Sequence, residues 1–111
     1  MSETEICRLD DIPDNNAKGM VAEVQGKKRN IFVARRGDAV FAYLNWCPHN
    51  QVLIDQIPGQ FYNKDFTLLR CSKHGALFNI EDGVCIEGPC EGESLSALST
   101  IVKDGGVYLI E

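Results

Sequence analysis

The sequence predicts an all-β domain, a small antiparallel sandwich or barrel. Three observations point there. Short apolar runs with a two-residue alternation recur along the chain. Turn formers such as Asp-Gly and Asp-Gly-Gly separate them at strand-length intervals. Helical periodicity is thin, and only "CEGESLSAL" offers a short helical turn. At 111 residues the chain is expected to form one domain, residues 1–111, with a modest core.

The elements follow in order. A first strand is expected around Cys7, whose thiol reads as a small buried hydrophobe. "GMVAEVQGKKRNIFVARRGDAVFAYLN" reads as three strands turning near Gly26-Lys27 and Arg36-Gly37-Asp38. In the last of these strands Val40, Ala42 and Leu44 face one way, and Phe41, Tyr43 and Asn45 the other. "QFYNKDFTLLRC" is a second hairpin, around Asn63-Lys64-Asp65. "HGALFNIEDGVCIEG" is a third, turning at Asp82-Gly83, and "STIVKDGGVYLI" a fourth, turning at Asp104-Gly105-Gly106. The basic stretches "KKRN" and "ARRGD" fall in hairpin turns and read as solvated charge.

Charge narrows the partners. Net charge is −5, yet residues 1–46 balance, with seven Lys/Arg against seven Asp/Glu. Residues 47–111 carry four Lys/Arg against nine Asp/Glu, the whole excess. A negative surface disfavours nucleic acid, whose phosphates want cations. It favours a partner with a positive docking surface, unless it serves solubility alone. No apolar run is long enough to span a membrane. The acidic start "MSETEICRLDD" lacks the basic and apolar regions of a signal peptide, and no twin-arginine signal is present. A cytoplasmic protein is expected, where cysteines serve as ligands, catalytic groups or buried apolar residues more often than as disulfides.

The chemistry-bearing residues are concentrated. The strand "VFAYLNW" ends in Cys47-Pro48-His49, and "FTLLR" ends in Cys71-Ser72-Lys73-His74. These are a C-x-H and a C-x-x-H, separated by 21 residues from His49 to Cys71, and they use both histidines of the chain. Two Cys and two His could fill a tetrahedral zinc site in a module that binds a protein. Zinc patterns, however, pair like with like at each end. One thiolate and one imidazole from each loop suits a pair of metal atoms instead, the thiolates on one and the imidazoles on the other.

"CPHN", "CSKHGALF" and "DGVCIEGPC" together resemble the Rieske signature. In that family a small antiparallel β-sandwich carries an inserted cluster-binding subdomain, here about residues 46–90. The resemblance implies one 2Fe–2S cluster per chain. Cys47 and Cys71 would hold the buried iron, and His49 and His74 the iron nearer solvent. Gly75 would let the backbone turn beside the cluster, and Gly88-Pro89 would shape a covering loop. Two thiolates cancel the +2 of two ferric ions and two sulfides, so the oxidised centre is neutral. Reduction is then easier than at an all-cysteine site. High-potential members carry an inter-loop disulfide and two hydroxyl donors; here Val52, Lys73, Ala76 and Phe78 stand at those positions. Fewer donors predict a low potential, about −150 mV.

The resemblance is to the soluble ferredoxins that feed ring-hydroxylating dioxygenases. It implies a monomeric carrier passing single electrons from a flavin reductase to a terminal oxygenase. With both histidines used, none remains for a non-haem iron triad, so the chain is not expected to be an enzyme. A small Rieske subunit of a nitrite reductase-like system is the alternative. Trp46, Asn50, Lys73 and Pro89 would rim the docking face. The spacer before Cys71 is longer than in the compact ferredoxins, with the surplus expected in the "FYNKD" hairpin. Cys85 and Cys90 add no ligand, because four are already supplied. They are expected as thiols beside the cluster loops; a disulfide across Gly88-Pro89 is the other arrangement the spacing allows.

Overall fold

Alternation and turn chemistry produce ten strands among the described residues of the computed structural model, which are 3–46, 54, 61–63, 67–71, 75–88 and 92–110. In chain order the strands are β1 (Glu3–Arg8), β2 (Ala17–Val24), β3 (Lys27–Arg36), β4 (Ala39–Leu44), β5 (Leu69–Arg70), β6 (Leu77–Phe78), β7 (Cys85–Glu87), β8 (Ala97–Leu98), β9 (Thr100–Lys103) and β10 (Gly106–Ile110). Every pairing is antiparallel, in sheets ordered β1-β10-β9, β2-β3-β4-β8 and β5-β6-β7. The expected all-β antiparallel fold is the one observed.

The β2–β3 turn is Gln25-Gly26, one residue earlier than the expected Gly26-Lys27. Both residues have positive φ, 51° and 80°, matching the right-handed twist of a hairpin. Asp104 and Gly105, φ 51° and 75°, do the same between β9 and β10, and Gly106 already belongs to β10. Tyr62 bridges Leu69, and Arg70 N–H donates to Phe61 O at 2.7 Å. This forms the arms of the second hairpin; Lys64 and Asp65 at its expected tip lie outside the described residues.

Two expectations are corrected. "CEGESLSAL" forms no helix within its described residues, 92–98. Ser94 bridges Val84, and Ala97–Leu98 pairs with Tyr43 and Ala42 of β4. Sheet hydrogen bonds are a better use of this backbone than one isolated turn, which nucleates at a net cost. The helical turn observed is instead a 3₁₀ turn at Leu9–Asp11, where the Asp11 carboxylate accepts from Arg8 N–H at 2.9 Å. "ARRGD" is also more than solvated charge. The Arg35 guanidinium donates to the carbonyls of Gly37, Leu9 and Ile12 at 2.7, 3.2 and 2.9 Å, tying the N-terminal segment to β3. Arg36 pairs with Glu81 at 2.5 Å.

The sheet containing β3 and β4 is buried on both faces. Ile31, Phe32, Val33 and Ala34 are each 0% exposed. Val33 and Ala42 face one core with Leu9, Ile12 and Val107, under β1-β10-β9. Phe32, Ala34 and Tyr43 face the other, with Ile54, Phe61, Leu69, Cys71, Ala76, Phe78, Ile80, Cys85 and Leu95. The expected alternation in β4 is therefore correct, but it sorts residues between two cores rather than between core and water.

Candidate metal centre

Three loops leave the second core, and each is closed at its base. The first begins where β4 ends. Asn45 is a buried polar residue, so its hydrogen bonds decide whether that position is tolerable. Its backbone N–H donates to Asn30 O at 2.9 Å, and its Oδ1 accepts from the N–H of fully buried Ile54 at 2.7 Å. The end of β4 is thereby tied to Ile54. Cys47 and His49, both expected ligands, lie between them and outside the described residues.

The second loop begins at Cys71, directly after β5. Cys71 N–H donates to Ala76 O at 2.9 Å, and Gly75 N–H donates to Cys71 O at 2.8 Å. Closing so short a loop needs a left-handed residue, and Gly75 supplies it with φ +72°. The Cys71 residue is fully buried, as are Ala76 and Phe78 on the returning strand. His74 lies outside the described residues. Of the four expected ligands, Cys71 is the one whose position is described.

The third loop leaves β7. Cys85 N–H donates to Glu93 O at 2.7 Å, and Gly92 N–H donates to Cys85 O at 3.2 Å, so Cys85 is its buried base. Cys85 Sγ lies 3.4 Å from Glu87 O. Gly88 has φ +110°, and a Cβ there would sit 2.9 Å from the Cα of Ala76. Gly88 thus lies backbone to backbone against Ala76. Pro89 and Cys90 lie outside the described residues, and with them the question of a Cys85–Cys90 disulfide. Of the expected rim residues, Trp46 is described and is 51% exposed; Asn50, Lys73 and Pro89 are not.

The environment beneath the loops is apolar. Phe32 stacks on Phe61 with ring centroids 4.7 Å apart and tilts against Tyr43 at 5.6 Å. The Tyr43 hydroxyl donates to Ile80 O at 2.5 Å. Burial, reinforced by Asp82 and Glu81, pushes its ionisation well above the usual phenol range. Burial also pushes Tyr62 up to about 12, partly offset by Arg36. Both phenols stay neutral at ordinary pH and serve as packing. Cys7 lies on the far face, half-buried rather than enclosed. Burial raises its thiol, Asp11 and Glu5 add to this, and Lys18 opposes them.

A soft thiol at a closed loop bend, backed by an aromatic core, fits an iron–sulfur ligand position. The likeness to known proteins agrees. The chain matches the family model of the Rieske 2Fe-2S domain over residues 2–103. The ferredoxin of carbazole 1,9a-dioxygenase from Nocardioides aromaticivorans IC177 is similar in fold, with a TM-score of 0.77 and 20% identity over 98% of this chain and 97% of that one. The Sphingomonas yanoikuyae B1 ferredoxin gives 0.75 and 21%, covering 99% of both chains. The small subunit of a putative NADPH nitrite reductase gives 0.72 and 18%, covering 100% of both. No curated protein matches. The chain belongs to the Rieske 2Fe-2S family: its cofactor is a 2Fe–2S cluster, and its class of work is electron carriage. The zinc-module reading falls with that membership. Among the described residues no helix is long and apolar enough to cross a membrane.

Asn45 and Arg35 were not found by sequence reasoning. "LNW" before a ligand is a signal for the first only in retrospect, because a polar residue on the inward face of an alternating strand must find a partner.

Proposed function

We propose that the protein is a ferredoxin that passes single electrons from a flavin-dependent reductase to a terminal oxygenase of the ring-hydroxylating type. The observation that carries this is the C-x-H and C-x-x-H pair, with the second loop seating Cys71 fully buried at its closed base. Cys47 and Cys71 hold one iron, and His49 and His74 the other. When bound, the cluster supplies a one-electron redox site. The chain's own part is to hold it. Cys71 anchors from the core side, Asn45 ties the end of β4 to Ile54, Gly88 packs against the Ala76 backbone, and the aromatic core excludes water. The chain works as one domain, cluster-binding over about 46–90, and is a carrier rather than an enzyme. Buried Ala76 and Phe78 carry no hydroxyl at the two positions where high-potential members have donors, which supports a potential near the bottom of the Rieske range, about −150 mV.

Likeness to ferredoxins whose printed names belong to dioxygenase systems, one of them solved in complex with its oxygenase, supports the partner class. Likeness to the nitrite reductase small subunit keeps a second reading alive. Reconstitution separates them. NADH, a flavin reductase and a ring-hydroxylating oxygenase are mixed with the purified protein, and its EPR signal is followed. Reduction by the reductase and reoxidation on adding oxygenase with its aromatic substrate is the expected result. Reoxidation only by a nitrite reductase catalytic subunit with nitrite would overturn it in favour of the second reading. A clearly positive midpoint in a redox titration would sink the low-potential assignment.

A further inference from the structure

Several of the described cations are spent on contacts within the chain. Arg8, Arg36 and Lys103 are each held in an ion pair, with Glu5, Glu81 and Glu3. Arg35 spends its donors on three backbone carbonyls. Lys28 and Arg29, like Lys18, Lys27 and Arg70, take part in none of the ion pairs found among the described residues; what sets Lys28 and Arg29 apart is that they line one cleft. They sit exposed near the β2–β3 turn, in a chain whose net charge is −5. There they line a cleft of about 200 Å³ together with Asn30, Leu44, Asn45 and Trp46. Trp46 is the chain's single tryptophan, is 51% exposed, and immediately precedes Cys47.

This combination is not a solvated turn. A cleft lined by two exposed cations, of which Lys28 has Glu23 as its cross-strand register partner and Arg29 has Ala22, with a large exposed ring and a leucine beside them, matches an anionic ligand with an apolar neighbour. Aromatic and guanidinium groups are also the residue types that dominate protein interfaces. Its place decides what uses it. Asn45 joins β4 to Asn30 of β3 at this end of the sheet, so the cleft opens beside the base of the first ligand loop.

We propose that the cleft is a docking site for an acidic segment of the redox partner. A carboxylate enters between Lys28 and Arg29, and an adjacent apolar side chain lies on Trp46. The proposal rests on the electron-carrier reading, and it adds a charge-selective contact that orients the first loop toward the partner. Electrostatic complementarity of this kind acts mainly on association rate and falls with salt.

Small redox reagents test it on the cluster-loaded protein. Ferricyanide, an anion, and hexaammineruthenium(III), a cation, each take one electron from the reduced cluster and are themselves reduced by one. Lys28→Glu and Arg29→Glu are compared with Lys18→Glu, which changes net charge equally at the other end of β2. At low ionic strength Lys28→Glu and Arg29→Glu should each slow ferricyanide by about five-fold and not slow the ruthenium complex. Lys18→Glu should have a much smaller effect, and the difference should vanish at about 1 M salt. A pentaglutamate peptide should slow ferricyanide competitively in the native protein and change Trp46 fluorescence, and should do neither in the Lys28→Glu, Arg29→Glu double variant. Equal effects of Lys18→Glu and Lys28→Glu, or peptide binding that survives the double variant, would overturn the proposal. A protein without a Rieske EPR signal, or one that neither reagent oxidises, would instead refute the carrier reading.

Discussion

The two faces of the central sheet are built differently. Toward β1-β10-β9 the core is small and aliphatic, Leu9, Ile12, Val33, Ala42 and Val107, beneath strands of four to six residues whose ladder is broken only by a register shift between Glu5 and Cys7. Toward the three loops the core is aromatic, Phe32, Tyr43, Phe61 and Phe78, and the strands β5, β6 and β7 have only two or three residues. One side is held by backbone ladders. The other relies more on side chains, the ring contacts, the Asn45–Ile54 clamp and the Tyr43–Ile80 bond, together with short backbone closures at Cys71 and Cys85 and the packing of Gly88 on Ala76. A metal centre needs irregular loops to aim its ligands, and loops cannot pair as ladders. The lesson is that rigidity around the site comes from packing rather than from sheet, so single side chains there should matter more.

Substitutions on matched positions of the two faces can break that contrast. The largest effect is expected at Cys71. Cys71→Ser and His74→Ala should each abolish the Rieske absorption and EPR spectra while the far-UV circular dichroism stays β-type. Cys7→Ser on the opposite face should leave the spectra intact, as should Cys85→Ser combined with Cys90→Ser. Loss of the spectrum in the double serine variant would mean that the third loop supplies more than cover.

Next comes packing. Phe61→Ala should cost about 3–5 kcal/mol in denaturant unfolding and reduce cluster retention, because it removes the ring stacked on Phe32. Ile12→Val in the other core should cost about 0.5–1.5 kcal/mol and leave retention unchanged. Comparable retention in the two would show that the faces are not independent. Asn45→Ala leaves the buried Ile54 N–H without its acceptor, an expected cost of about 1–3 kcal/mol. Hydrogen exchange should locate the opening at Ile54 rather than in β9 or β10.

Alkaline pH probes the same asymmetry without mutation. The folded Tyr62 ionises at about 12 against an ordinary 10.0, and Tyr43 is raised as well. Their contribution to stability is complete below pH 10 and declines as pH rises through the folded value, because the unfolded chain loses these protons first. Phenolate absorbance from these two tyrosines should therefore develop together with loss of the aromatic-side structure, between about pH 10 and 12. Ionisation near 10 in a still-folded protein would contradict their burial. The smallest effect belongs to Arg36→Gln. Its ion pair with Glu81 is exposed, so a loss of less than about 1 kcal/mol is expected, fading with salt.

Much of this was legible in the residues. Local chemistry specifies hairpins, because a turn is decided by its own few residues, and the hairpins expected around Gly37, Asp82-Gly83 and Asp104-Gly105 form. The motif expected to hold the cluster stands out for a similar reason: metal chemistry demands particular side chains at particular spacings, and few other pressures do. The 2Fe–2S cofactor and the antiparallel all-β class followed from those two kinds of signal, and the family match upholds both. Long-range partnership was not legible. Nothing local in Arg35 announces three carbonyls, two of them more than twenty residues away. Nothing in "ESLSAL" announces that β4 has an unpaired edge to fill. Alternation in "VFAYLN" separates two faces but cannot say that both are buried, because that depends on a second sheet and three loops arriving from elsewhere. Nor could it say that Lys28, Arg29 and Trp46 would border one cleft, a meeting of β3 with the end of β4 that exists only once the strands are paired.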